Sequence, residues 1–489
     1  MTSAPRDTGP IAAREFPPRD ALEREIGKAR SQWSSADLVD FAVRAGVRLV
    51  SLMHVGGDGW LKTLDFVPRS AAHLRDIVEG GERADGSSLF PGMGIPSGAS
   101  DVVLRPRPET AFLDPFAERP TLVVRCGHLG RDGRPLPQSP DTILRAACAR
   151  LEAELGVELT ALGEVEYFLG RPYDPSDIYG AHERGYHALA PFVFGQDHRR
   201  RAMDVLTGLG IPVKYGHSEV GYIEATEADG ILWEQHEIEL ALQPLTDAAD
   251  AILLTQWVLR LLAHREGMRC STEPMMLAGH AGNGLHVHLS VCERGRHLPV
   301  FASGDELESR ARLLVGGLVR CGGSLMAFGN RAESSFARLA QAKEAPSAIR
   351  WGRYDRSALV RIPVVPSGAS GRLVVEPTVE FRLPDGSAMA HLLLAGIVQA
   401  ALAAREEHDL AALIAATSMG SPAGAIADLD PLPRDFASVA DALGRHRARF
   451  EAGGVFPAEL VDAVVARLGA AAERPAEETK RSCRQEERA

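Results

Sequence analysis

The stretch Gly-Asn-Gly-Leu-His-Val-His-Leu-Ser, residues 282–290, alternates polar and apolar side chains near the middle of the chain. Successive side chains of a β-strand point to opposite faces. The stretch therefore predicts a strand with His286, His288 and Ser290 on one face and Leu285, Val287 and Leu289 on the other. The glycines in front let the backbone approach a ligand closely. The two imidazoles either begin a metal or phosphate site or are hydrogen-bonded histidines of a half-buried strand.

Two other stretches show the same alternation. Residues 163–168 place Glu164 and Glu166 on one face, and residues 379–383 place Glu380 and Arg382 on one face. Neighbouring carboxylates on a face repel each other unless a cation lies between them. One such strand alone is usually a solvated surface. The three together offer carboxylates, imidazoles and a guanidinium, a set that suits hard divalent cations and an anionic substrate.

Composition limits the class of protein. The chain has 489 residues, which exceeds the usual size of one core, so we expect two or more domains. It is 45% hydrophobic and 24% charged, as in ordinary globular proteins. The formal net charge of -11 argues against general nucleic-acid affinity.

The sequence predicts a cytoplasmic protein that does not cross a membrane. The first twenty residues mix Arg, Asp, Glu and Pro and show no signal pattern. The most apolar run, 389–404, is interrupted by His391 and Gln399, so we read it as a buried helix. The six cysteines are scattered without a CxxC pair, which favours reduced thiols.

The order of predicted elements indicates an α+β protein with a small β-rich domain ahead of a larger one. A turn-rich segment, 130–135, marks the boundary. Residues 1–20 and 473–489 are predicted to be a flexible arm and a charged tail, which leaves domains at 21–130 and 131–472. Predicted helices are 35–45, 141–155, 198–208, 247–266, 305–328 and 387–405, and predicted strands are 48–54, 59–66, 121–126, 158–169, 212–225, 284–291 and 374–383.

These residues, with several further motifs in the same order, resemble the glutamine synthetase family, the ATP-dependent glutamate–ammonia ligases of bacterial type I. The resemblance covers residues 35–472. Its motifs are Asp85-Gly86-Ser87-Ser88, the strands at 163–168 and 284–290, Arg338-Leu339, Glu344-Ala345-Pro346, residues 361–365, Glu380-Phe381-Arg382 and residues 452–456. The resemblance implies an N-terminal β-grasp domain and a catalytic domain with an antiparallel sheet and surrounding helices. It also implies a ring-shaped homo-oligomer, commonly a dodecamer, in which Asp85 enters the site of a neighbouring subunit.

The resemblance implies a role for each site residue. One Mg²⁺ or Mn²⁺ beside the ATP phosphates would be held by Glu164, His286 and Glu380, and a second near the substrate carboxylate by Glu166, Glu219 and Glu237. Glu224 and Glu227 are alternatives to Glu237. Arg338 would hold the glutamate carboxylate near Gly282. The transferring phosphoryl group would be neutralised by Arg356 and Arg382, and the nucleotide contacted by His288, Ser290 and Arg361.

The amine site decides which ligase this is. Family matching supplies Asp85, Ser88, Tyr186, Glu219 and Glu344 for ammonium, with Glu344 on a flap that excludes water. The Asp85 loop favours glutamate, ATP and ammonium as substrates. However, Ala281 stands where the family carries an asparagine, so that contact is absent or Asn283 has shifted to replace it. The flap reads Gln341-Ala342-Lys343-Glu344. A ligase that uses a polyamine or another amine therefore remains open, as does a catalytically silent regulatory paralogue.

Overall fold

The computed structural model describes residues 20–174, 184–225, 230–304, 306–341, 343–369, 372–421 and 429–473. The flexible arm predicted at 1–20 and the tail predicted at 473–489 lie, apart from Asp20 and Glu473, outside the described residues. Within them the chain forms helices and two large sheets, which confirms the α+β class.

The N-terminal part carries the smaller of these two sheets. Its elements in chain order are α1 (Ala21–Ile26), α2 (Ser35–Arg44), β1 (Leu49–Val55), β2 (Leu61–Phe66), α3 (Ala71–Gly80), β3 (Glu82–Asp85), α4 (Gly86–Leu89), β4 (Asp101–Pro106), β5 (Phe112–Leu113) and β6 (Thr121–Leu129). The strand order is β2-β1-β6-β4-β3, with β5 also on β6. β1 and β6 are parallel and the other pairs are antiparallel. The β-grasp assignment of this sheet stays a prediction.

The two faces of this sheet serve different cores. Val50 and Leu52 of β1 pack in a cluster with helices α2 and α3. Met53 of β1 and Val123 of β6 point the other way and belong to the large core of the rest of the chain. Because side chains alternate between the two faces of each strand, one apolar face of the N-terminal sheet packs against the larger part of the chain.

The remaining elements follow in chain order. They are α5 (Pro140–Leu155), β7 (Glu158–Pro172), α6 (Gln196–Gly208), β8 (Val213–Ile223), β9 (Ile231–Leu240), β10 (Gln243–Pro244), α7 (Leu245–Arg265), β11 (Arg269–Ser271), β12 (Leu285–Glu293), β13 (Arg296–His297), β14 (Phe301–Ser303), β15 (Glu306–Leu307), α8 (Ser309–Gly329), α9 (Glu333–Ala340), β16 (Trp351–Arg353), β17 (Val360–Ile362), β18 (Val379–Phe381), α10 (Ala390–Ala403), α11 (Leu410–Thr417), α12 (Phe436–Glu451) and α13 (Ala458–Ala472). Short 3-10 turns lie at Arg30–Gln32, Ser97–Ala99, Pro108–Thr110, Ala404–Glu406 and Ala452–Gly454.

The larger sheet has the order β16-β17-β18-β12-β7-β9-β8, with β10 and β11 also on β7 and β13 on β12. Its pairs are antiparallel except β16 with β17. Val165, Val287 and Phe381 point to one face and are buried in the large core. The polar residues between them therefore point to the opposite face.

Long apolar helices cover the back of the larger sheet. Helix α10 is buried along its whole length, which confirms the reading of the apolar run at 389–404 as a core helix. Helix α8 is long and apolar enough to cross a membrane, yet 83% of its most apolar window is buried inside the protein. Its composition is therefore that of a helix packed on α10 and α12.

Most predicted elements are present, but the strand predicted at 374–383 is shorter than expected, and the prediction omits several elements, among them α3, β9, α12 and α13. The strand predicted at 374–383 is limited to Val379–Phe381, because Pro377 and Pro384 lack the N–H groups that would extend the ladder. The strand β9 is missing from the sequence prediction, although it lies in the middle of the sheet next to β7. Its buried charged residues obscure the apolar alternation by which strands are recognised.

Candidate active site

One face of the larger sheet collects the predicted metal ligands. Residues that pair directly in an antiparallel ladder lie side by side on the same face. Glu164 of β7 pairs with His286 of β12, and His288 pairs with Glu380 of β18. On the other side of β7, Glu166 pairs with Glu237 of β9. The register thus brings residues from four strands into one polar cluster.

Glu164 is the most connected carboxylate of this cluster. Its Oε2 lies 2.7 Å from Nδ1 of His286, and its Oε1 lies 2.9 Å from Nε2 of His288. Burial would raise the pKa of Glu164, but the charge of His288 and hydrogen bonds from both imidazoles hold it well below the usual value. Burial would likewise lower the pKa of His288, but the charge of Glu164 raises it. The carboxylate is therefore ionised and the adjacent imidazole favours its cationic form.

Glu380 is buried between two arginines. Its Oε2 accepts a hydrogen bond of 2.6 Å from Nη1 of Arg361, and its Oε1 accepts one from Arg382. Burial would raise its pKa, yet the charges of His288 and Arg382 lower it. Glu380 therefore remains a carboxylate even though its side chain is closed off from solvent.

A second acidic group lies between β8 and β9. Nε2 of His217 is 3.2 Å from Oε1 of Glu237, and Nδ1 of His217 is 3.6 Å from Oε1 of Glu219. Burial and the nearby charge of Glu166 raise the pKa of Glu219 to about 8. Burial, together with the charges of neighbouring glutamates, raises the pKa of Glu237 well above its usual value. A divalent cation held here would supply the positive charge that offsets the repulsion among these carboxylates.

The chemistry of these donors fits divalent metal ions. Glu164, His288 and Glu380 offer ligand atoms that all lie within 4.8 Å of one another, and so do His217, Glu219 and Glu237. Carboxylate oxygen with some imidazole nitrogen suits Mg²⁺ and Mn²⁺. The first group contains His288, whereas the prediction names His286. Nδ1 of His286 lies 3.9 Å from Oε1 of Glu380. Which histidine binds the metal stays a prediction.

Arg338 reaches the cluster through a space kept open by glycines. Its side chain is buried, and burial lowers its pKa. A Cβ on Gly282 would lie 3.0 Å from the Arg338 side chain, and one on Gly284 would lie 2.8 Å from Nη2 of Arg338. Nη2 lies 3.5 Å from Nε2 of His286. The glycines therefore admit the guanidinium beside the metal ligands, as their positions suggested.

The flap residues contact the arginines at the open side of the site. Glu344 has a positive φ of 53° and an exposed side chain. Its carboxylate accepts a hydrogen bond of 3.2 Å from Arg356, and its backbone oxygen accepts one of 2.8 Å from Arg382. The ring of Tyr186 packs edge-on against His217 at 5.3 Å. Glu344, Arg356 and Arg382 therefore lie together on this side of the site.

The other predicted residues lie farther out. Ser290 is buried on β12, where its Oγ is 2.9 Å from Nδ1 of His297. Asp85 and Ser88 are exposed, and the carboxylate of Asp85 accepts hydrogen bonds from Ser87 and Ser88 of its own loop. Hydrogen bonds from Ser100, Ser88 and Ser87 lower the pKa of Asp85. The predicted entry of Asp85 into a neighbouring site stays a prediction.

Glu237 lies in one group with Glu219, and its assignment as a metal ligand stays a prediction. Glu224 is exposed, and Glu227 lies outside the described residues. Asn283 is fully buried, and its Nδ2 donates to the backbone oxygen of Glu273 at 2.9 Å.

Sequence reasoning overlooked two groups at the site. One is His217, two residues before Glu219 on a strand, and the other is Gln235, whose Nε2 donates to Glu166 at 3.3 Å. His217 lies two residues before Glu219, and Gln235 lies two residues before Glu237. Residues two apart on a strand share a face, and this spacing was the signal available in the sequence.

Comparison with known proteins agrees with this geometry. The family model for the glutamine synthetase catalytic domain matches residues 137–467. Glutamine synthetase of Neisseria gonorrhoeae is 29% identical over 433 residues, which covers 79% of this chain and 85% of the relative. The cryo-EM structure of Plasmodium falciparum glutamine synthetase has a TM-score of 0.74 at 18% identity and covers 90% of this chain and 95% of that one.

A second solved structure, described as a GmaS–ADP complex, has a TM-score of 0.67 at 22% identity. It covers 91% of this chain and 98% of its own. At these identities the solved structures establish the fold, whereas the family match extends over more than half of the sequence. The chain therefore belongs to the glutamine synthetase family.

Proposed function

We propose that this chain is an ATP-dependent glutamate–ammonia ligase that forms glutamine through a γ-glutamyl phosphate. One observation carries the proposal: two acidic groups lie on one sheet face, around Glu164 and around Glu219, with Arg338, Arg356 and Arg382 beside them. Phosphoryl transfer to a carboxylate depends on positioning and charge neutralisation, which such a set provides.

Each group then has a task. Glu164, His286 and Glu380 would hold one divalent ion, and Glu166, Glu219 and Glu237 the other. When bound, these Mg²⁺ or Mn²⁺ ions supply charge neutralisation for the phosphates and the substrate carboxylate.

The arginines recognise the anionic parts of the two substrates. Arg338 binds the glutamate carboxylate beside Gly282. Arg356 and Arg382 neutralise the phosphoryl group, because a planar guanidinium matches its oxygens. The nucleotide side consists of His288, Ser290 and Arg361.

The amine enters at the flap. Tyr186, Glu219 and Glu344 would surround ammonium, together with Asp85 and Ser88 of a neighbouring subunit. A carboxylate then accepts the proton that ammonium must lose before it attacks the acyl phosphate.

We further propose domains at 21–130 and 131–472, a ring-shaped homo-oligomer such as a dodecamer, and a cytoplasmic location. A larger amine is the second candidate, favoured by a cavity of about 250 Å³ that Glu219 and Gln235 border.

The test is phosphate release from ATP in the presence of glutamate, with ammonium compared against a panel of amines. Release with ammonium, and glutamine as product, would support the proposal. Release only with a larger amine would favour the second candidate. If no glutamate–amine pair released phosphate while ATP still bound, the chain would be a silent nucleotide-binding paralogue.

A further inference from the structure

Glu239 is a buried carboxylate that lies beside both acidic groups and is not among the predicted ligands of either ion. It follows Glu237 by two residues on β9 and pairs with Glu164 across the ladder between β7 and β9. Glu164, Glu237 and Glu239 each offer one carboxylate oxygen, and the three oxygens lie within 4.8 Å of one another. This third group therefore shares Glu164 with the first acidic group and Glu237 with the second.

Lys214 supplies the counter-charge of Glu239. Three carboxylates this close repel one another unless a cation offsets their charge. Nζ of Lys214 lies 2.5 Å from Oε1 of Glu239, and it is the ion-pair partner that the described part of the chain gives this carboxylate. The side chain of the lysine is 33% exposed, whereas that of the glutamate is 1% exposed. The lysine therefore reaches from the edge strand β8 to a carboxylate that solvent does not screen.

A β-bulge directs this lysine toward the acidic cluster. In the ladder between β8 and β9, Val213 pairs with Leu240 and Tyr215 pairs with Glu239, so Lys214 is an extra residue on β8. In a regular strand Lys214 and Tyr215 would point to opposite faces. Here Nζ of Lys214 lies 5.2 Å from the centroid of the Tyr215 ring, on the same side as Glu239. The bulge thus places a positive charge at the third group.

We propose that the ammonium group of Lys214 takes the place of a third divalent ion, so that the acidic cluster holds two ions and one tethered cation. The inference rests on the two ions of the proposed function. A third ion bound to Glu164, Glu237 and Glu239 would have to displace the ammonium from Glu239. Because the ammonium belongs to the chain, it competes for this carboxylate at a high effective concentration.

Lys214 is in this view a positioning residue for the two ions. Glu164 is a predicted ligand of the first ion and Glu237 of the second, and a third ion would share both carboxylates. The ammonium neutralises Glu239 without coordinating Glu164 or Glu237 as a metal does. It therefore leaves these two carboxylates to the ions that the reaction uses.

The experiment counts the Mn²⁺ ions bound per chain by the full-length protein without nucleotide, from the electron paramagnetic resonance signal of free Mn²⁺. We expect Lys214→Met to bind one more Mn²⁺ than the parent protein. The additional ion should bind at least about tenfold more tightly than any further ion on the parent, because no ion pair has to be broken. Lys28→Met is the matched control, since it breaks a 2.6 Å ion pair with Asp37 in the N-terminal part and should keep the parental count.

Three further variants connect the additional ion to this contact. Lys214→Gln removes the charge but retains a hydrogen-bond donor, so it should gain the same ion even where Lys214→Met folds poorly. Lys214→Arg keeps the charge and should keep the parental count. The double variant Lys214→Met with Glu239→Gln should return to the parental count, because the third group has lost one of its carboxylates.

Equal counts in the parent, Lys214→Met and Lys214→Gln would overturn the inference. A further ion that binds the parent as tightly as it binds Lys214→Met would also overturn it, and so would an additional ion that persists in the double variant. These outcomes depend on bound metal alone. If the counts were as expected and the parent formed no amide with any amine, the inference would hold and the proposed function would fail.

Discussion

Glu164 and His286 face each other across the ladder between β7 and β12, with Oε2 of the glutamate 2.7 Å from Nδ1 of the histidine. The second oxygen of the same carboxylate lies 2.9 Å from Nε2 of His288. One carboxylate therefore connects both histidines of the strand. The register of two antiparallel strands therefore holds these three side chains close together on one face of the sheet.

Removal of the Glu164 charge should weaken metal binding. We expect Glu164→Gln to lower the affinity for Mn²⁺ by at least about tenfold, because a ligand is lost and both imidazoles lose their shared acceptor. Titration calorimetry with Mn²⁺ measures this directly. Glu158→Gln, at the exposed start of the same strand, is the control and should bind Mn²⁺ normally. Equal affinity in the two variants would exclude Glu164 as a ligand.

The N-terminal sheet should lose stability in acid through two buried histidines. Nδ1 of His54 lies 3.0 Å from Nε2 of His128, whose Nδ1 lies 2.8 Å from Oγ of Ser139. Burial lowers the pKa of His54 to about 4 and that of His128 to about 3. Both folded-state values lie below the ordinary 6.5, so the unfolded chain binds more protons between those pH values. Stability is therefore full above pH ~6.5 and declines as the pH falls toward ~4.

The measurement for these histidines is the apparent melting temperature from pH 7.5 to 4.5. His54→Gln removes one titrating group, so its melting temperature should fall less steeply with acidification than that of the parent protein. His73→Gln, at a partly exposed position of α3, is the control and should keep the parental slope. Parallel curves for the parent and His54→Gln would show that this pair does not set the acid sensitivity.

The alternation of polar and apolar residues predicted those strands that have one polar and one apolar face. Residues 284–290 and 163–168 became β12 and β7 because their apolar faces pack in the core. The strand β9 was not predicted, since Glu234, His236 and Glu239 are buried polar residues, and Arg199 and Lys214, which contact His236 and Glu239, are distant in sequence. The periodicity of apolar residues indicates which side chains are buried. It therefore does not identify a buried strand whose side chains form ion pairs.

For the site, motif resemblance named the residues of the acidic cluster but not its internal contacts. The proximity of His217 to Glu237, at 3.2 Å, depends on the pairing of β8 with β9 and cannot be read from local sequence. The position of Asn283 is similar. Sequence allowed it to face the substrate, whereas its side chain is buried and hydrogen-bonded to the backbone of Glu273. Contacts of this kind follow from tertiary packing.

A buried ion-pair network joins the N-terminal sheet to the larger part, and its removal should destabilise the protein. Arg125 of β6 contacts Asp250 of α7, and Oδ1 of Asp250 lies 2.8 Å from Nε2 of His391 on α10. Asp250→Asn leaves the Arg125 guanidinium buried without its counter-charge, which typically costs about 3–5 kcal/mol. We expect a fall of several degrees in the melting temperature. Asp132→Asn at an exposed turn is the control, and equal melting temperatures would contradict the role.

Replacement of the flap carboxylate should slow amide formation and spare nucleotide binding. The carboxylate of Glu344 contacts Arg356 at the open side of the site, and its backbone oxygen, which a substitution retains, contacts Arg382. A positioned carboxylate that accepts a proton contributes about 10²–10⁴-fold to a rate, so we expect a loss of that order in Glu344→Ala. Calorimetry with ATP should show a Kd within about threefold of the parent, since the substitution removes no proposed nucleotide contact. Glu333→Ala, at the exposed first turn of α9, is the matched control. If Glu344→Ala turned over as fast as this control, the flap carboxylate would have no part in the amine step.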